Sequence, residues 1–172
     1  MSRNAGELSR GTLLRLQFAE GWLGLNCPSE ADKELSGLDE SVVGHPDVLS
    51  LKWSLCAANG DWSDAYLLAK QHLDVDEGDL RAWINHSYAI RRMPGGGIQE
   101  AHDALYPALD RFPKDVLVPY NLACYQCRLG NPESGIRLLK RAIKNGSRSA
   151  ILAMAKKDPD LQLIQKAVMK LE

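Results

Sequence analysis

Small and bulky apolar residues recur along this chain at the steps of one helix face, and the same steps return at intervals of 34 to 36 residues. Ala101, Leu105 and Ala108 step by four and three and are followed by a stop at Pro113. Gly135, Leu139 and Ala142 repeat those steps 34 residues downstream, Ala65, Ala69 and His72 repeat them 36 residues upstream, and Ala31, Leu35 and Leu38 give a fourth copy. A chain reversal precedes each copy: Asn26-Cys27-Pro28, Asn59-Gly60-Asp61, Pro94-Gly95-Gly96-Gly97 and Gly130-Asn131-Pro132. Gly and Asn tolerate the left-handed conformation that ends a helix, and Pro opens the next one. Between the reversals the period is helical. In the stretch Pro119 to Leu129, for example, Leu122, Ala123, Gln126 and Leu129 fall at i, i+1, i+4 and i+7. No sustained two-residue alternation competes with this. The pattern predicts helical hairpins over 8–43, 46–78, 80–112 and 116–145 and a terminal helix over 148–170. Asp79 and Asp115 stand where helix N-caps are expected, and Asp158-Pro159-Asp160 should break or kink the last segment.

A lone helical hairpin cannot bury its apolar face, so stacked copies that share one continuous core are the stable solution. The residues that carry the copies resemble the tetratricopeptide repeat family, whose pattern runs Trp, Leu-Gly, Tyr, Ala, Phe, Ala, Pro over about 34 residues. The hairpin 116–145 matches best, with Asn121-Leu122-Ala123, Leu129-Gly130, Leu138-Leu139 and Ala142-Ile143. The hairpin before it offers Trp83, Ala101, Leu105, Ala108 and Phe112-Pro113, with two extra residues in its turn. The first hairpin has Asn26 for the turn glycine, and the second carries bulky Trp53 where the family has a small residue. The resemblance spans roughly residues 12–149 and implies an all-α fold. Its form would be a right-handed superhelical α-solenoid of about four TPR-like hairpins with a C-terminal capping helix, making one domain over 1–172.

Composition sharpens this reading. At 172 residues and 45% hydrophobic content the chain can bury a real core. Lacking an apolar run of membrane-spanning length and an apolar segment in Met1 to Arg10, it is expected to be cytoplasmic. The formal net charge of -1 conceals a polarity: residues 1–79 carry 6 Lys/Arg against 14 Asp/Glu, residues 80–172 carry 15 against 8. That asymmetry speaks to partners, self-association included, rather than to fold.

Candidate chemistry is sparse, and no enzyme activity is expected. Cys27, Cys56, Cys124 and Cys127 are too few and scattered for a disulfide framework. Cys124 and Cys127 lie inside a predicted helix, away from any strand, and read as packing thiols rather than a redox pair. His45, His72, His86 and His102 lack the i, i+4 pairing of a metal site, so neither metal nor cofactor is expected. Pro94-Gly95-Gly96-Gly97 has no following Lys and Ser/Thr and reads as a lengthened turn, not a phosphate loop. The basic C-terminal half lacks interleaved aromatics, which argues against nucleic acid.

The expected function follows from the resemblance: a scaffold or adaptor for another protein, with a secretion-type chaperone for a hydrophobic client segment as the alternative. In the family the first helix of each hairpin lines a concave groove. Carried onto this chain, that groove displays Arg81, Asn85, Tyr88 and Arg92 from one hairpin and Tyr120, Asn121, Cys124 and Arg128 from the next. Side-chain amides at Asn85 and Asn121 could pair with a peptide backbone, and the three arginines favour an acidic partner.

Overall fold

The computed structural model describes residues 6–171, so residues 1–5 and 172 of the expected domain lie outside the described residues. Every regular element in it is a helix. The four expected reversals take the left-handed backbone: Asn26 at φ 57°, Gly60 at 80°, Gly95 at 79° and Gly130 at 82°. The chain divides into two compact units, the first ending at Gly96 and the second beginning at Gly97.

The first unit contains α1 (Arg10–Gly24), α2 (Pro28–Ser36), a 3-10 turn (Glu40–Val42), α3 (Pro46–Asn59), α4 (Trp62–Val75) and α5 (Leu80–Ile90). Ser9 caps α1 by accepting from the Thr12 N–H, and Pro28 and Pro46 occupy first-turn positions where a missing N–H costs nothing. Ala19, Ala31, Ala65, Ala82 and Ala89 have no exposed surface, so these helices approach closely and Leu16, Leu35 and Leu55 fill the layers between. The turn after α5 needs its glycines. Gly95 is left-handed, and a Cβ on Gly96 would collide with the Ile90 carbonyl.

The second unit contains α6 (Ile98–Leu105), α7 (Ala108–Arg111), α8 (Leu117–Arg128), α9 (Pro132–Asn145), α10 (Arg148–Lys157), a 3-10 segment (Pro159–Ile164) and α11 (Gln165–Lys170). The repeat positions Ala101, Leu105, Ala108, Leu139 and Ala142 are all fully buried. Pro107 divides what the period presents as one helix, because it cannot donate to the preceding turn. Asp115 accepts from the Val118 N–H at the start of α8, and Asp158 ends α10 and caps the 3-10 segment. The terminal helix expected over 148–170 is thus three short elements folded back, with Leu161, Ile164 and Val168 buried against Tyr120, Cys124 and Leu139.

Candidate functional site

In the first unit, α1, α3 and α5 are the opening helices of successive hairpins, and they flank a cleft of about 390 Å³. Leu13, Gln17 and Glu20 line it from α1, Ser50, Leu51 and Ser54 from α3, with Asp47 and Arg81 at its edge. Asp47 and Arg81 are 34 residues apart, one repeat, and the fold brings Arg81 Nη2 to 2.8 Å from Asp47 Oδ1. The same guanidinium holds Asp79 Oδ2 at 2.6 Å, while Asp79 Oδ1 caps α5 by accepting from the Arg81 N–H. Behind them the buried His72 donates from Nε2 to Asp79 Oδ2 at 3.0 Å. Burial alone would raise the Asp79 carboxyl, but the Arg81 hydrogen bonds and charge outweigh it and hold it below the usual carboxylate range. Burial keeps His72 below the usual imidazole value despite the Asp79 charge. The network braces the α3–α5 contact and leaves Arg81 committed to two carboxylates.

Tyr88 and Arg92, also expected in the groove, belong to an aromatic cluster. The Arg92 guanidinium carbon lies 3.4 Å from the Tyr88 ring centroid and 5.2 Å from that of Trp62. Trp53 meets Tyr88 edge-on at 5.9 Å. The bulky Trp53 is accommodated because this cluster, and not a small-residue contact, packs that layer. Asn85 is half-buried on the same helix.

The second-unit residues are placed differently from the expectation. Tyr120 and Cys124 are 6% and 4% exposed and cannot face a ligand. The Tyr120 hydroxyl donates to Asp158 Oδ2 at 3.0 Å and the Cys124 thiol donates to the same oxygen at 3.4 Å. Arg128 points its Nε at Asp160 Oδ1, 3.7 Å away. Tyr120, Cys124 and Arg128 follow one another at i, i+4 and i+8 along α8, and the chain's own Asp158-Pro159-Asp160 turn lies against all three. Asn121 donates to the Leu117 carbonyl at 2.9 Å, one turn back on its own helix. The three arginines expected as ligand-facing cations are therefore engaged by the protein itself. Burial, reinforced by the Asp158 charge, pushes the Tyr120 phenol and the Cys124 thiol up, and burial raises the Cys127 thiol to about 11. Neither cysteine supplies a thiolate at neutral pH.

Leu13, Gln17, Glu20 and Asp47 are not among the residues the sequence pattern assigns to the groove. The 34-residue offset that relates Asp47 to Arg81 was the available signal. Among the described residues no group of three or more His, Cys, Asp or Glu side chains is placed to hold a metal ion, and no helix is long and apolar enough to cross a membrane.

No family model matches the chain, and no curated protein matches it by sequence. The fold is similar to that of solved structures of MamA. One comprises residues 41 to the end of MamA from Desulfovibrio magneticus RS-1, at TM-score 0.66 and 17% identity over 96% of this chain and 97% of that one. Another is an RS-1 MamA ArsTM double mutant, with TM-score 0.66 and 17% identity over 96% of each chain. At that identity the likeness speaks to the fold, which is an all-helical, TPR-like solenoid.

Proposed function

We propose that this protein is a non-enzymatic interaction module that receives an extended segment of a partner protein in the cleft between α1, α3 and α5. The observation that carries this reading is the lining of that cleft. Ser50 and Gln17 offer a hydroxyl and an amide that both donate and accept, and Ser54, whose hydroxyl donates to the Ser50 carbonyl at 3.1 Å, offers an acceptor, beside the apolar Leu13 and Leu51. Such a lining suits the alternating backbone and side-chain groups of an extended peptide, and it contains no nucleophile paired with a base.

The acidic character expected of the partner rested on Arg81, Arg92 and Arg128 facing a ligand. Each is engaged by the protein's own groups, and residues 1–96 carry 9 Lys/Arg against 14 Asp/Glu. With Glu20 in the lining as well, the field of this unit favours a neutral or basic segment. The test is site-specific photocrosslinking in the native cell. A photoreactive residue at Ser54 should capture a discrete protein, whereas one at the exposed Lys140 of α9 should not. Capture from Lys140 alone, or from neither, would place the partner on another surface. Ser54→Tyr, which fills the cleft, should reduce affinity for the captured protein by about tenfold or more, and Arg92→Ala with Arg128→Ala should not.

A further inference from the structure

α1 is apolar on two opposite faces. Its inner face, Leu16 and Ala19 with Leu23, packs into the core of the first unit against Ala31, Leu35 and Val48. Diametrically across the helix, Leu14 is 42% exposed, Phe18 56% and Leu25, just past the last turn, 69%. With Gly21 these positions step by four, three and four, the heptad spacing of a helix–helix seam. Trp22, 37% exposed, flanks the seam. Two of the charged side chains of α1 lie off it, since Arg15 pairs with Glu34 of α2 at 3.2 Å and Glu20 lines the cleft, while Arg10 continues its line one turn before Leu14, outside the four apolar and small positions.

We propose that this seam is a homodimer contact, in which α1 packs antiparallel against α1 of a second copy. The large and small positions select that occupant. In the antiparallel register Leu14 faces Leu25 of the other copy and Phe18 faces its Gly21, and the two-fold axis repeats both pairs. A Cβ at Gly21 would meet nothing within 4 Å in the monomer, so the recess there is open to an incoming ring. A parallel pairing would set Phe18 on Phe18 and leave Gly21 opposite Gly21, a clash beside a void. The exposed parts of Leu14, Phe18, Trp22 and Leu25 amount to roughly 400 Å² per copy. Two copies with their rims bury on the order of 1,000 Å², the lower bound for a specific interface, which is the size class of weak, reversible contacts. The contact is independent of the cleft, which uses Leu13, Gln17 and Glu20 on a different flank of α1.

Sedimentation velocity of the full chain across the micromolar range, at low and high salt, tests this. The expected result is a monomer–dimer equilibrium little changed by salt, since the paired positions Leu14, Phe18, Gly21 and Leu25 carry no charge. Phe18→Asp should leave only monomer with an unchanged circular dichroism spectrum. Gly21→Leu fills the recess while favouring the helix, so it should weaken dimerisation about tenfold or more yet leave or raise the melting temperature of dilute protein. Wild-type protein that stays monomeric throughout would overturn the proposal. So would a dimer indifferent to both changes, or salt-quenched association that survives Phe18→Asp, which would point to the oppositely charged halves. Crosslinking from Ser54 should be unaffected by Phe18→Asp, which separates failure of this contact from failure of the cleft.

Discussion

Gly135 stands where the other copies of the repeat carry alanine, and Cys127 is the reason. A methyl group built on Gly135 would lie 2.5 Å from Cys127 Sγ and 3.3 Å from the Ala123 carbonyl oxygen. Contacts between such atoms are ordinarily about 3.5–4 Å, so α8 and α9 would have to part by roughly 1 Å. Overpacking of that kind costs about 1–3 kcal/mol, and the better helix propensity of alanine returns about 1. Gly135→Ala should therefore lose about 1 kcal/mol net, which in a chain of this size lowers the melting temperature by about 2–4 °C. Cys127→Ala alone should also cost about 1 kcal/mol, as deletion of one buried heavy atom does. In the double variant the new methyl occupies the space the sulfur leaves. Its loss should then fall below the sum of the singles by a coupling of about 1–3 kcal/mol. Urea titrations of the four proteins, followed by circular dichroism, measure this cycle. Additivity within about 0.5 kcal/mol, or a stabilising Gly135→Ala with Cys127 in place, would show that the sulfur is not what excludes the side chain.

Stability should also fall as pH drops below the ordinary imidazole range. Burial holds His72 and His86 below their usual values in the folded protein, and His72 Nδ1 has no partner among the described residues. Their contribution is complete above the unfolded-state value and is lost as pH falls below it, each histidine adding a slope of at most about 1.4 kcal/mol per pH unit. Asp79, held low, adds its loss only at more acid pH, below the ordinary carboxylate value. A urea midpoint constant between neutral pH and the carboxylate range would refute this. A disulfide reagent should titrate the half-buried Cys27 and Cys56 first and reach the buried Cys124 and Cys127 only on unfolding; four equal rates would contradict the packing-thiol assignment. Arg92→Ala should shift the tryptophan emission and cost about 1 kcal/mol through loss of its stacking on Tyr88 and Trp62. An unchanged spectrum would mean that the cluster does not persist in solution.

Local chemistry was enough to determine the helices and their ends. Asn26, Gly60, Gly95 and Gly130 turn the chain because Gly and Asn accept the left-handed backbone cheaply, and the spacing of Ala101, Leu105 and Ala108 marks a buried face in its other copies too, with only Leu38 of the first copy left partly exposed. The break at Asp158-Pro159-Asp160 was equally legible, while Pro107 was a local signal that the stronger period masked. Long-range pairing decided the site. Arg81, Arg92 and Arg128 look alike in sequence, as exposed cations one helix turn from an amide or aromatic. Whether each meets solvent, a carboxylate 34 residues earlier or a ring on a neighbouring helix depends on which helices stack and at what angle. Tyr120 and Cys124 are buried for the same reason: their α8 face is covered by a segment more than thirty residues downstream, which folds back and buries Leu161, Ile164 and Val168 in one cluster with them. The heptad on α1 shows the limit from the other side. Its two apolar faces are plain in the sequence, but only the packing of the first unit shows which face is used and which is left uncovered.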